Sequence, residues 1–198
     1  MNLEDKRQLF EAFFTLPFEV KINLEQIEQN HAFDQQGLEL EIPYPFKLAS
    51  ELNKIDNSNS YMNSNQQLPN DVSRILAIQN KKIDLMLSYL LMQEDQQKHR
   101  YSTTRFGAGG LTVKSNNNWL IGDKFKLKIF MPEEACAVYC FAEIIGVIDN
   151  ESDKLYEIVY SVIRDEDREV LVRMALHQQS KQLRQLALER ASQANENQ

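Results

Sequence analysis

Three of the chain's six glycines fall within Arg105-Phe106-Gly107-Ala108-Gly109-Gly110-Leu111, directly ahead of a run that alternates like a β-strand. Glycine admits positive φ and lets other backbone approach closely, so the cluster predicts a tight, specific turn rather than a slack connection. Cations crowd the same stretch at Lys98, His99, Arg100 and Arg105. Guanidinium groups beside such a turn have the chemistry of a phosphate site, because their planar fork of N–H donors matches phosphate oxygens. The plainer reading is a solvated helix end, with cations near the negative pole of the helix dipole.

Other chemistry is thinly supplied. His31, His99 and His177 are scattered without metal-ligand spacing. Glu133-Glu134 reads as a solvated turn, and no Ser or Cys stands in an elbow motif. Lys114-Ser115 follows the glycine turn, but Ala108 and Val113 occupy positions where a Walker phosphate loop needs glycine. If their segment is a strand, Cys136 and Cys140 share one face roughly 13 Å apart. That is beyond disulfide reach, so they read as small core residues. Neither an enzyme nor a metal protein is expected.

The bulk properties fit a regulatory or structural role. The chain has 198 residues and 42% hydrophobic content, enough for one compact domain or a small domain with appendages. A net charge of −7 argues against broad binding to nucleic acid, which needs dense cationic neutralisation. No apolar run approaches the ~20 residues of a membrane span. The N-terminal residues lack the pattern of a signal peptide, so a cytoplasmic protein is expected.

Several elements must position these residues. Leu3, Phe10, Phe13 and Phe14 share one side of a helical wheel over residues 3–14, and Pro17 should end that helix. Phe18–Leu24 and Leu38–Ile42 alternate with period two and predict short strands, the second broken by Pro43 and Pro45. Asn57–Gln67 is nearly all Asn, Ser and Gln and predicts a loop or linker. Pro69-Asn70-Asp71 then offers helix-start chemistry.

From there Val72, Leu76, Gln79, Ile83, Met86, Leu90 and Gln93 recur by four and three, the seam of a coiled coil. Ile75, Ile78, Leu85, Tyr89 and Met92 make a second apolar line beside it. Two adjacent lines fit several neighbouring helices better than one. Gln79 and Gln93 would fix the register. A helix of about 27 residues here would be roughly 40 Å long.

Residues 108–163 read as four strands around Leu111–Val113, Phe125–Met131, Ala135–Ile148 and Leu155–Ile163, with a bulge expected at Gly146. Short strands joined by tight turns predict a small antiparallel barrel or sandwich. Asp165-Glu166-Asp167 opens a second helix, in which Val172, Leu176, Gln179, Leu183 and Leu186 repeat the seam spacing, and Ala191–Gln198 reads as a frayed tail. Arg164 and Arg168 straddle the three acids and read as a solvated helix start.

The order of glycine turn, four strands, acidic cap and helix resembles a PilZ domain over about residues 105–185. Arg105–Gly110 is similar to the family's Asp/Asn-x-Ser-x-x-Gly turn, and Asn118-Trp119-Leu120-Ile121-Gly122-Asp123 to the turn before its next strand. Val159–Ile163 with Asp167, Arg168 and Gln178 resembles its closing strand and helix. The resemblance implies an α+β fold, a small antiparallel β-barrel with two long heptad-bearing helices, in bacterial cyclic di-GMP signalling.

Against the family pattern, Arg105 replaces Asp/Asn, Gly107 replaces Ser, and no Arg-x-x-x-Arg lies upstream. Weak or absent nucleotide binding is therefore expected. Arg100, Arg105, Gly107 and Gly110 form whatever ligand site remains. The long helices resemble the atypical tetrameric branch, which implies a homo-oligomer, a tetramer, held by Val72, Leu76, Ile83, Met86 and Leu90 with Val172, Leu176, Leu183 and Leu186. The expected divisions are 1–104 for helix, strands, linker and oligomerising helix, 105–165 for the barrel and 166–192 for the C-terminal helix. Residues 17–42 would supply missing first strands of the barrel.

Overall fold

The computed structural model describes residues 2–28, 31–62, 69–149 and 153–196. Seven antiparallel strands form one sheet: β1 Thr15–Leu16, β2 Lys21–Gln26, β3 Arg100–Gly107, β4 Gly110–Ser115, β5 Lys124–Met131, β6 Cys136–Asp149 and β7 Lys154–Val162. Their order is β1-β3-β2-β5-β6-β7-β4, and β3 also pairs with β4, which closes a six-stranded barrel. β1 extends β2 along the same edge of β3, pairing Thr15 with Gly107 while Lys21 pairs with Ser102.

Alternation fills the barrel. Ile22 and Leu24 of β2, Phe125, Leu127 and Ile129 of β5, Val138, Cys140 and Ala142 of β6, and Tyr156, Ile158 and Tyr160 of β7 all point into one buried core. Both cysteines are free and buried; burial pushes the Cys136 thiol up to about 12 and raises that of Cys140. Trp119 meets Tyr101, Phe125 and Tyr156 edge-on at centroid distances of 5.0–5.3 Å, plugging one end. The register of β6 against β7 shifts at Gly146, where the bulge was expected.

A second core lies outside the barrel. Phe130, Ala137, Tyr139 and Phe141 on the outward faces of β5 and β6 pack against α2 Gln35–Glu41, α3 Tyr44–Met62 and α4 Asn70–Gln93. The outward lysines of β5 are absorbed there too. Lys124 lies 4.5 Å over the Phe33 ring, Lys126 pairs with Glu41 at 2.8 Å, and Lys128 pairs with Glu94 at 2.7 Å.

Five expectations are corrected. Leu38–Ile42 is helix, not strand: Asp34 caps it by accepting from the Gly37 N–H at 2.7 Å, and only Leu38 and Ile42, one helical turn apart, are buried. Leu40, which a strand would have placed with them, is 88% exposed. Pro43 and Pro45 open α3 rather than ending a strand, with the Phe46 N–H bonding to the Pro43 carbonyl. That helix, nucleated by buried Phe46 and Ala49, propagates through Asn57 to Met62, because extending a formed helix costs far less than starting one. The rest of the expected polar loop, 63–67, lies outside the described residues.

The long seam helix α4 stops at Gln93, and Arg100–Gly107 is a strand instead of a helix end. Asn23 causes the change of direction. Its side chain accepts from the Gln96 N–H at 2.7 Å and donates to Asp95 at 2.9 Å, tying the end of α4 to β2. At the other terminus α5 Asp165–Glu196 continues through residues expected to fray. α1 Leu3–Ala12 forms where a helix was expected but ends two residues before the expected 14, with Phe13 extended and a capping box between Asn2 and Asp5.

Candidate ligand turn and helical interface

The glycine turn is packed by the protein's own N-terminus. A Cβ on Gly107 would stand 2.6 Å from the Phe14 carbonyl oxygen, and one on Gly109 would stand 2.5 Å from that of Leu9. On Gly110 it would collide with the Ile158 carbonyl and the Phe10 ring. None of the three has positive φ; among the described residues that belongs to Gly122 and Ala135. Close approach, not unusual torsion, is what these glycines supply.

The turn's carbonyls are also occupied. The Tyr160 hydroxyl donates to Gly107 at 3.1 Å, Arg168 donates to Ala108 at 3.2 Å, and the Tyr160 N–H donates to Gly109 at 3.2 Å. Burial raises the Tyr160 phenol well above its ordinary value, so the donor proton stays in place.

The two candidate arginines are not brought together. A bulge between Thr103 and Arg105 leaves both facing outward, but five residues of strand hold their backbones about 16 Å apart. Arg100 binds Asp95, with its Nε 3.2 Å from Oδ1 and its Nη2 2.9 Å from Oδ2. Burial alone would raise the Asp95 carboxyl; the bonds from Arg100 and Asn23 and the charges of Arg100 and Lys21 outweigh it and hold it below the usual range. Arg105 donates to the Thr15 hydroxyl and carbonyl, both at 3.1 Å. Lys98 is exposed, and His99 Nε2 is buried without a hydrogen-bond partner among the described residues.

Arg164 is not the solvated helix start the acids implied. It is buried and bidentate to Asp167, at 2.8 and 3.0 Å. Burial pushes the Asp167 carboxyl up to about 6 even though both of its oxygens accept from Arg164. Among the described residues there is no group of three or more His, Cys, Asp or Glu placed to hold a metal, and no helix is long and apolar enough to cross a membrane.

The helices divide sharply along their lengths. In α4 only Leu87 and Leu91 are buried, against the outer core. The seam residues Val72, Leu76, Ile83, Met86 and Leu90 are exposed, Met86 by 70%, and so are Ile75, Ile78, Leu85 and Tyr89 of the second line. In α5, Leu171, Met174 and Ala175 are buried, the first two in the barrel core. Val172 packs partly against that core, while Leu176, Leu183, Leu186 and Leu188 are exposed. Gln182 of α5 donates to the Pro17 carbonyl at 3.0 Å, tying this part of the helix to the segment before β2.

No family model and no curated protein matches the sequence. Solved structures do match. One is a pathogenic protein of Xanthomonas campestris, a tetrameric PilZ domain self-assembled via an unusual helical bundle. At 11% identity it aligns with 89% of this chain and 96% of its own, with a TM-score of 0.54. The fold is PilZ-like. Another match is the Bacillus subtilis inhibitor of motility MotI/DgrA (20% identity, 41% of this chain, 42% of that one, TM-score 0.39). A third match is the PilZ domain of Escherichia coli YcgR with c-di-GMP (14% identity, 50% and 83%, TM-score 0.34). Most of the PilZ-like barrel was visible in the sequence; the role of α1 in filling the glycine turn was not.

Proposed function

We propose that this chain is a non-catalytic PilZ-type scaffold or adaptor in bacterial cyclic di-GMP-related signalling, cytoplasmic, and self-associated as a homotetramer through α4 with help from α5. The observation that carries this is the length of α4 that stands clear of the barrel with apolar side chains on two adjacent lines. A helix apolar on most of its circumference is stable only when surrounded, and each Leu, Ile or Val so covered contributes about 1.5–3 kcal/mol. The tetrameric neighbour aligns over 89% of this chain, a span that exceeds the barrel.

The barrel then serves as a surface for an unidentified protein partner; of the expected divisions 1–104, 105–165 and 166–192, the first also gives β1, β2 and the start of β3 to the barrel, so that α3 and α4 act as the assembly arm and 166–192 as the closing helix. Neither nucleic acid nor membrane enters this reading, and no cofactor is needed. The occupied turn and the separate engagements of Arg100 and Arg105 support weak or absent nucleotide binding. Light scattering at micromolar concentration, with and without cyclic di-GMP, tests it: a monomer removes the scaffold. Heat on titration with millimolar cyclic di-GMP, lost in Arg105→Ala, would instead make the chain a receptor.

A further inference from the structure

A cleft of about 300 Å³ lies between α5, the segment Phe18–Lys21 that leads into β2, and the turn Pro132–Glu134 that follows β5. It is at the small end of ligand-binding clefts, and barrel mouths are a common place for them. Trp119 plugs one mouth of this barrel against Phe125; Met131, at the other end of β5, is six residues or roughly 20 Å away. There Val20, Met131 and Met174 carry the barrel core up to the cleft, with Phe18 packed beside them. The bond from Gln182 to the Pro17 carbonyl ties the helical wall to the β2 wall.

Met174, Gln178 and Lys181 recur at i, i+4 and i+7 and share the face of α5 that lines the cleft. Gln178 is the informative one. It is only 7% exposed, yet its amide makes no hydrogen bond among the described residues. Buried polar groups are normally matched, and an unmatched one costs about 1–3 kcal/mol. A primary amide sets a donor beside an acceptor, the complement of the N–H and C=O of one extended residue. The rim selects charge. Glu19, Glu133 and Glu134 are exposed and form no ion pair among the described residues, whereas Lys21 already lies 3.8 Å from Asp95. That leaves Lys181 against three carboxylates, a balance that favours a cation.

We infer that this cleft docks a short extended segment of a partner protein, one bulky apolar residue next to a basic one. The apolar side chain covers Val20, Met131 and Met174, its own N–H and C=O bond to the Gln178 amide, and the neighbouring cation rests among the rim carboxylates. The inference rests on the adaptor reading, to which it gives a docking site, and does not depend on self-association.

Nuclear magnetic resonance of the full chain, labelled on methionine methyl groups and titrated with N-acetyl-Leu-Lys-amide at millimolar concentration, tests it. The Met131 and Met174 signals should move and saturate, while those of Met86 and Met92 on α4 stay in place. Replacing the probe's leucine by alanine should weaken binding about tenfold, and replacing its lysine by glutamate severalfold. Gln178→Leu, which keeps an apolar side chain on that face, should cost about tenfold through the lost amide. Glu133→Gln with Glu134→Gln changes only exposed side chains and should remove most of the preference for lysine. Unmoved Met131 and Met174 signals, equal binding of the leucine and alanine probes, or unchanged affinity in Gln178→Leu would overturn the site. N-acetyl-leucinamide binding as tightly as the lysine probe would also overturn it, making the cleft a pocket for small neutral amides. Light scattering on the same samples separates the two readings: a tetramer that ignores the probe loses the docking site and keeps the scaffold, and a monomer that binds it does the reverse.

Discussion

The glycine turn and the exposed length of α4 are opposites. At the turn, every carbonyl from Gly107 to Gly109 accepts a bond from within the chain, and the space beside each glycine is filled by residues 9–15 or by Ile158. Along α4 before Leu87, no side chain is buried although apolar residues recur on either side of the polar turn Gln79–Lys82. The lesson is about where the chain is thermodynamically complete. A segment that satisfies itself internally has little left to offer a ligand, while one that leaves apolar surface in water gains most by association.

The largest effect should come from attacking the incomplete region. Ile83→Asp with Leu90→Asp would bury unpaired carboxylates in any helical bundle, at a cost of several kcal/mol. The assembly should fall to a 23.1 kDa monomer by light scattering, with the circular dichroism of the barrel unchanged. An unchanged mass would show that α4 is not the seam. The next effect tests the complete region. Gly110→Ala drives a methyl into the Ile158 carbonyl and the Phe10 ring, and overpacking of this kind costs about 1–3 kcal/mol. Denaturant titration should show that loss without any change in oligomer mass.

Tyr160→Phe should be milder, about 1 kcal/mol, because it removes one hydrogen bond and leaves the Gly107 carbonyl without that donor. The smallest effect is one of pH. With its folded value near 6, above the ordinary 3.8, Asp167 keeps a proton in the folded protein where the unfolded chain has released it. Its contribution to stability is therefore full below about pH 4 and declines as pH rises through 6. Melting temperatures from pH 4 to 6 should slope less steeply downward, or more upward, in Asp167→Asn than in the parent. Identical slopes would show that the carboxyl titrates normally.

Period-two alternation made the barrel legible, because Phe125–Met131 and Tyr156–Val162 bury one face each and pair on both sides. The heptad spacing likewise revealed α4, whose apolar lines are the ones exposed on the isolated chain. Leu38–Ile42 was misleading because Leu-Glu-Leu-Glu-Ile fits both a strand and one turn of helix; the cap from Asp34 decides between them, and its weight depends on the Phe46 cluster that α2 must reach. β3 was hidden because no glycine or proline separates it from α4, and the break comes from Asn23, some seventy residues earlier in the chain. Arg164 looked solvated among acids, yet the fold sinks it with Asp167. Contacts from residues 9–15 and from Ile158 explain the glycines, and sequence spacing gave no sign of N-terminal partners nearly a hundred residues away.

Closure of the sheet by the pairing of β3 with β4 has a consequence for growth. A closed cylinder has no long unsatisfied strand along which another molecule could add by backbone pairing, and the short β1 is only two residues long. Fibre formation by edge-to-edge stacking is thereby denied to the barrel. Under the proposed self-association, copies would meet through side chains of the helices and not through backbone pairing.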